Sequence, residues 1–284
     1  MPVKAGWLKY LLKHRRSVFL KQVFRMARFH RTPFETLLEN ISGVTEDFGA
    51  FFTFPTVAST ALRRPELMRL ILGSHNEIAS HGFKHVNYRY LSLDAQRRDI
   101  ERSLLTFRNL GIPIRGFRAP YNMYAEQTAR LLEEFGFFWD GGLGYSPAYR
   151  ERKSFFRVQV EDHKSRFVCI PLSKWSDDSM IDKYGLDNRQ MAKLLKNAIR
   201  QAEEKHGVIM FDLHPIRIGQ PSYVVMLREV LKFGNDLDGW FPTVTEAVDH
   251  WLRRREWKDG ASFCCLLSGD IDNFDFSDYM SRLL

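Results

Sequence analysis

Histidine, arginine and aspartate side chains in three short segments have the types needed to bind a metal ion or move a proton. In the first segment, His81 and His85 stand four residues apart, so both imidazoles reach one ion if the segment makes a helical turn. Spacing alone also fits two surface histidines, because nine histidines in 284 residues produce such pairs by chance. The pair therefore indicates a metal site only together with its context.

The other two segments carry a candidate carboxylate-binding group and a candidate proton donor. Arg118 stands beside the rigid Pro120-Tyr121 turn, which suits bidentate hydrogen bonds to a carboxylate, although a surface arginine on a tight turn is an alternative. His214 follows an apolar strand and is placed for proton transfer. Capping of the next helix explains its position equally well.

Apolar strands and amphipathic helices alternate along the body of the chain. Helices are predicted over residues 33–42, 64–73, 92–111, 125–136, 188–207, 222–234 and 243–255, and strands within 49–55, 76–85, 114–121, 137–142, 166–172 and 208–215. Short connections between them predict a parallel sheet or a (β/α) barrel. All three polar segments follow strands, at the face where barrel enzymes build their active sites.

In their order along the chain, these motifs resemble the NodB-homology polysaccharide deacetylases, carbohydrate esterase family 4. The stretch GAFFTFP (49–55) resembles the family's Ala-Thr-Phe-Phe strand, and NEIASHGFKH (76–85) resembles its His-x-x-x-His segment. RGFRAPY (115–121) resembles its Arg-x-Pro-Tyr motif, and FDLHP (211–215) its Leu-x-His motif. The resemblance spans roughly residues 32–250 and implies an α/β fold, a distorted (β/α)7-type barrel, with residues 32–284 as one domain.

The resemblance also implies the roles of individual residues. It implies a divalent metal, commonly zinc, with His81 and His85 as ligands, and His214 as the acid that protonates the leaving amine. Arg118 would orient the general base. The implied substrate and oxyanion contacts are Tyr121, Pro120 and Trp175.

The family's first motif, Thr-Phe-Asp-Asp-Gly, is missing ahead of GAFFTFP, because residues 17–31 contain no acidic residue. The C-terminal stretch 261–284 offers a substitute: an apolar strand followed by Asp270-Ile271-Asp272 and then a helix with Asp278 near its start. We hypothesise a circular permutation in which Asp270 is the base and Asp272 the third metal ligand. The alternative is an acidic turn and tail helix, which leaves the domain poor in metal.

Residues 1–31 form a basic amphipathic segment with nine Lys or Arg and no acidic residue, and the rest of the chain is nearly neutral. Its longest apolar run falls far short of the ~20 residues that span a bilayer. The segment is predicted either to lie on anionic lipid or to pack as a solvated helix on the barrel.

These features predict an enzyme, a metal-dependent hydrolase that deacylates an N-acyl amino sugar in a polysaccharide or lipid-linked glycan. The alternatives are a catalytically silent barrel that binds a glycan or protein partner, and a metal amidohydrolase acting on a small amide. Three cysteines that do not form a disulfide framework, and no secretion signal, predict a cytoplasmic protein, with contact to an anionic membrane through residues 1–31. Nucleic-acid binding is not expected, because the basic residues cluster in one arm without a recognition motif.

Overall fold

The computed structural model describes residues 16–125, 127–149 and 152–277. Residues 1–15 of the predicted basic segment lie outside this part of the chain, as does the predicted tail helix at Asp278. Within the described ranges, no helix has both the length and the apolar character needed to cross a bilayer.

The predicted helices are all present, with ends that shift by a few residues. In chain order, the helices of the described residues are α1 (Arg16–Phe29), α2 (Phe34–Thr45), α3 (Ala58–Ala61), α4 (Pro65–Gly73), α5 (Leu93–Asn109), α6 (Thr128–Glu134), α7 (Asn188–Glu203), α8 (Pro215–Ile218), α9 (Pro221–Asn235) and α10 (Val244–Arg254). Local sequence fixes several starts. The Ser92 hydroxyl caps α5, and Asp187 with Gln190 forms a capping box at α7.

The strands form one large parallel sheet and one short hairpin. They are β1 (Phe52–Thr56), β2 (Glu77–Ser80), β3 (Gly116–Phe117), β4 (Trp139–Asp140), β5 (Gln159–Val160), β6 (His163–Lys164), β7 (Val168–Cys169), β8 (Leu172–Ser176), β9 (Val208–Asp212), β10 (Gly239–Trp240) and β11 (Phe263–Ser268). Among the described residues the large sheet has nine strands, in the order β7-β4-β3-β2-β1-β11-β9-β8, with β10 paired to β11. Its curled, parallel arrangement with surrounding helices confirms the predicted α/β barrel.

Strand β11 comes last in the sequence of strands but lies in the middle of the sheet. It pairs in parallel with β1 on one side and with β9 on the other. Phe52 lies opposite Leu267, and Asp212 lies opposite Ser268. The residues that follow β11 are therefore delivered to the same edge as those that follow β1 and β9, because all three strands run in the same direction.

Helix α1 packs on the body of the domain through the C-terminal half of its length. Met26 and Phe29 are buried in the main hydrophobic core, whereas Phe24 is exposed. Arg25 donates to the Asp182 carboxylate, and the Gln220 side chain donates to the carbonyl of Phe29 at 2.8 Å. The predicted packing of this helix on the barrel is what the described residues show; contact with lipid stays a prediction.

Replacing Gly116 tests the close packing of β3 against Trp139 of β4. A Cβ at this position would lie 1.9 Å from the Trp139 ring of β4, so no side chain fits between the two strands. We expect Gly116→Ala to lower the free energy of unfolding by about 2–3 kcal/mol, the range for overpacking a core. Denaturant unfolding measures the change.

The control for that experiment is Gly73→Ala, at the end of α4, where a Cβ meets nothing within 4 Å. We expect this variant to stay within about 1 kcal/mol of the wild type. Equal stabilities for the two variants would contradict the close approach of Trp139 to β3.

Candidate active site

The two histidines lie in the loop that follows β2. Gly82 turns the chain with φ 76°, a left-handed conformation that favours glycine. The Asp99 carboxylate of α5 then accepts hydrogen bonds from two backbone N–H groups of the loop, at 2.8 and 3.2 Å. The loop makes no helical turn between His81 and His85; the turn at Gly82, held by Asp99, brings the two imidazoles together instead.

His81, His85 and Asp272 converge on one point. The Oδ1 atom of Asp272 lies 3.5 Å from Nε2 of His81 and 3.3 Å from Nε2 of His85. One ligand atom from each residue lies within 4.8 Å of the other two. Two residues from the middle of the chain and one from its end thus form a single His-His-Asp donor set.

Hydrogen bonding prepares His81 to act as a metal ligand. Its Nδ1 atom lies 2.8 Å from the carbonyl oxygen of Arg118, and because a carbonyl only accepts, Nδ1 carries the proton. This leaves the lone pair of Nε2 facing the donor set. Nε2 is buried and has no hydrogen-bond partner among the described residues, which fits a position reserved for a metal ion. A His-His-Asp set of this kind suits zinc.

Arg118 joins two carboxylates at the centre of the site. It is fully buried, and its Nη1 group donates to Asp270 at 2.8 Å and to Asp212 at 3.1 Å. Its Nε group donates to the carbonyl of Gly141 at 3.1 Å. The other oxygen of Asp270 lies 3.5 Å from His81 Nε2, so Asp270 stands between the guanidinium and the donor set. This geometry suits the predicted pairing of Arg118 with a general base at Asp270.

His214 is held by an aspartate whose contribution the sequence did not reveal. Nδ1 of His214 donates to Oδ1 of Asp177 at 2.7 Å, and the backbone N–H of His214 donates to Oδ2 at 2.8 Å. Burial alone would lower the pKa of His214, but the carboxylates of Asp177 and Asp212 outweigh burial and raise it well above its ordinary value. The two carboxylates therefore favour the protonated form of His214. The available signal in the sequence was the Asp177-Asp178 pair directly after β8.

Asp212 is a second residue whose importance the sequence did not reveal. It stands two residues before His214, where the Leu-x-His motif has leucine, and it is buried at the end of β9. Burial and the charge of Asp270 raise the pKa of Asp212 to about 7. A carboxyl group that ionises near neutrality thus lies inside the site.

The three predicted substrate contacts take different positions. Tyr121 lines the cavity with its ring 4.3 Å from that of His85, and its φ is 62°. Pro120 is buried and starts the 3₁₀ turn that holds Tyr121. Trp175 lies near Tyr184 and packs against the main core, and it is not among the cavity-lining residues of the described chain. Ser173 and Ser176 of β8 line the cavity instead, and the pairing of β8 with β9 shifts register between Leu172 and Ser176, so the strand does not follow simple alternation there.

A cavity of about 480 Å³ opens above these groups, within the ~300–1,000 Å³ range of small-molecule sites. Its floor contains His85, Asp212, His214, Asp270 and Asp272. Its walls include Met26 of α1, Phe34 of α2, Tyr145 and Arg217. The cavity lining contains both polar and apolar side chains, as expected where a ligand has both hydroxyl groups and apolar faces.

Comparison with known proteins is consistent with this site. The polysaccharide deacetylase family model matches residues 29–138, which include His81, His85 and Arg118 but end before β9 and β11. No curated protein matches the chain significantly. The match thus covers the first part of the barrel, and the two aspartates after β11 lie outside it.

Solved structures share the fold over most of the chain. A probable polysaccharide deacetylase from Pseudomonas aeruginosa PAO1 has 20% identity and a TM-score of 0.68, covering 82% of this chain and 77% of that one. A putative polysaccharide deacetylase from Mycobacterium smegmatis has 23% identity and a TM-score of 0.69, with coverage of 80% and 81%. Puue allantoinase has 18% identity and a TM-score of 0.69, with coverage of 82% and 77%. The chain is thus similar to polysaccharide deacetylases over residues 29–138, and its barrel has the fold of these solved structures.

Proposed function

We propose that the protein is a metal-dependent hydrolase that removes an acyl group from an N-acyl amino sugar of a polysaccharide or lipid-linked glycan. The observation that carries this proposal is the convergence of Asp272 with His81 and His85, within 4.8 Å, at the carboxyl edge of the sheet. Beside this donor set stand an arginine-bound carboxylate, Asp270, and a protonated imidazole, His214. A donor set, a base and an acid around one cavity are the parts that amide hydrolysis needs.

The proposal includes a circular permutation. Strand β11 occupies the sheet position between β1 and β9, and Asp270 and Asp272 follow it directly. A first strand carrying the family's Thr-Phe-Asp-Asp-Gly motif would precede GAFFTFP in the chain. We propose that β11 takes the place of that strand, because sheet position depends on pairing and not on chain order. Two aspartates at its carboxyl end then replace the missing motif.

The proposed roles follow from the contacts. His81, His85 and Asp272 would hold the divalent metal, which when bound polarises the acyl carbonyl and lowers the pKa of water. Asp270, held by Arg118, accepts the proton of the attacking water. His214 donates its Nε2 proton to the leaving nitrogen, since its Nδ1 proton is held by Asp177. Water and amide thereby become a carboxylic acid and a free amine.

Release of acetate from N-acetylated amino sugars tests this function. The purified protein, loaded with zinc, is incubated with chitin oligosaccharides of increasing length, and free amine and acetate are quantified. We expect release that a chelator abolishes and added zinc restores. Absence of turnover on every N-acylated sugar, in protein that contains zinc, would contradict the proposal.

A small amide is a second candidate substrate. Puue allantoinase matches the fold with a TM-score equal to that of the Mycobacterium smegmatis protein. Allantoin and related cyclic amides therefore belong in the same assay. Faster turnover of these compounds than of any amino sugar would favour a small-amide hydrolase. A catalytically silent barrel is disfavoured, because Asp270 and Asp272 lie beside the histidines.

Contact with an anionic membrane is proposed for the basic segment 1–31. Neutralising Lys4, Lys9 and Lys13 together is expected to weaken binding to phosphatidylserine vesicles while leaving the α1 core contacts intact, since each basic residue near the surface contributes about 1 kcal/mol. Vesicle sedimentation measures the change. Unaltered sedimentation of the triple variant would contradict a membrane role for this segment.

A further inference from the structure

We propose that Asp212 is a positioning residue, which fixes the Arg118 guanidinium beside Asp270 and supplies the negative charge that keeps His214 protonated. This inference rests on the proposed function, because it concerns the base and the acid of that reaction. Asp212 acts through Arg118, which donates to it, and through His214, to which one of its oxygens lies within 4.8 Å.

The first part of the inference follows from the contacts of Arg118. The Nη1 group is shared by two carboxylates, Asp270 at 2.8 Å and Asp212 at 3.1 Å. A fully buried guanidinium needs fixed acceptors, since a lost partner leaves a buried N–H group without its acceptor. The Gly141 carbonyl holds Nε, and without Asp212 the Nη1 group would lose one of the two carboxylates that orient it toward Asp270. Asp212 therefore determines where the guanidinium presents its N–H groups to the base.

The second part follows from the charges that face His214. One ligand atom of Asp212 and one of Asp270 lie within 4.8 Å of a ring nitrogen of His214 and of each other. The charged groups around the imidazole come from β8, β9, α8, β3 and the loop after β11: Asp177, Asp178, Asp212, Arg217, Arg118 and Asp270. Two of these groups, Asp177 and Asp212, are the carboxylates that raise the pKa of His214.

The pH range in which Asp212 acts follows from its own ionisation. Its pKa of about 7 means that Asp212 is mostly ionised in the alkaline range, where an ordinary histidine has lost its proton. An ionised Asp212 then favours the protonated form of His214. The acid consequently stays available to the leaving amine in this alkaline range.

The Asp212→Asn variant tests the second part, because the amide oxygen still accepts from Arg118 but carries no charge. We expect the NMR titration midpoint of His214 to fall by about one pH unit, at the low end of the effect of a nearby charge. The His214 signal is identified by its loss in His214→Gln. The basic limb of the kcat–pH profile should shift to lower pH by a similar amount. We expect kcat to fall about tenfold, less than the ~10²–10⁴-fold that a whole general acid contributes. The Asp212→Ala variant, which removes the acceptor as well, tests the first part and is expected to lower kcat further than Asp212→Asn.

The matched control is Asp182→Asn, which removes a nearby carboxylate that binds Arg217 and Arg25 instead of Arg118. In Asp182→Asn, the titration midpoint of His214 should shift by less than half of the shift expected in Asp212→Asn. A wild-type midpoint in folded Asp212→Asn protein overturns the inference, and Asp212→Ser decides the matter if the first variant fails to fold. The NMR midpoint needs no turnover, so an inactive wild type would contradict the proposed function while the midpoint still decides the role of Asp212.

Discussion

The Asp272→Ala variant is expected to purify without its divalent metal and to lose acyl release at the same time. Asp272 is the one acidic member of the donor set, and its Oδ1 atom is within 3.5 Å of both imidazoles. Two neutral histidines alone bind zinc far more weakly than a three-residue site. We expect the affinity for zinc to fall by more than the ~10–100-fold typical of changes outside the ligand shell. Zinc content by elemental analysis and acetate release measure the two effects.

Asp275→Ala is the control for this variant. Asp275 lies three residues further along the same loop and is exposed. We expect this variant to keep its zinc and its activity. Full zinc content in Asp272→Ala would contradict the proposed ligand set and, with it, the delivery of a metal ligand from the end of the chain.

The Asp270→Asn variant is expected to behave differently, although only one residue separates it from Asp272. The amide oxygen of asparagine still accepts from Arg118 Nη1, so the local structure is kept. The amide cannot accept a proton from water, and kcat should fall by ~10²–10⁴-fold, the contribution of a general base. Zinc content should equal that of the wild type. Acetate release under saturating substrate, with zinc measured in the same sample, separates this result from that of Asp272→Ala.

A fall in kcat of less than tenfold would place the base elsewhere. Asp212 would then be the next candidate, since it shares Arg118 and has a pKa of about 7. Loss of zinc in Asp270→Asn would show instead that both aspartates are ligands. Each result therefore assigns the two carboxylates differently.

Local sequence was sufficient to predict most of the elements, and the family resemblance, rather than spacing, implied the candidate site residues. Strands and helices of the barrel were predicted from apolar patterning, because each depends on residues near it in the chain. His81, His85, Arg118 and His214 were predicted from motifs that directly follow strands. The position of β11 was only a hypothesis, since nothing in its local sequence states that it pairs with β1, more than 200 residues earlier.

The features that sequence missed depend on long-range contacts or on side-chain direction. The hydrogen bond between His214 and Asp177 connects the residues that follow β9 and β8. These two residues are 37 positions apart in the sequence, so their spacing does not predict the bond. The two histidines converge without the helical turn that their spacing would require, because Gly82 and Asp99 shape the loop instead. Trp175 was expected at the substrate, but Ser173 and Ser176 line the cavity, in a strand whose register shifts between Leu172 and Ser176.

One metal ion is expected to be bound jointly by His81 and His85 and by Asp272, which comes from the end of the described chain. Anomalous diffraction at the zinc edge, from crystals of the full chain grown with zinc, tests it most directly. We expect a single strong peak in contact with Nε2 of His81, Nε2 of His85 and the Asp272 carboxylate. A peak bound to the histidines without Asp272, or a peak at another site, would contradict it.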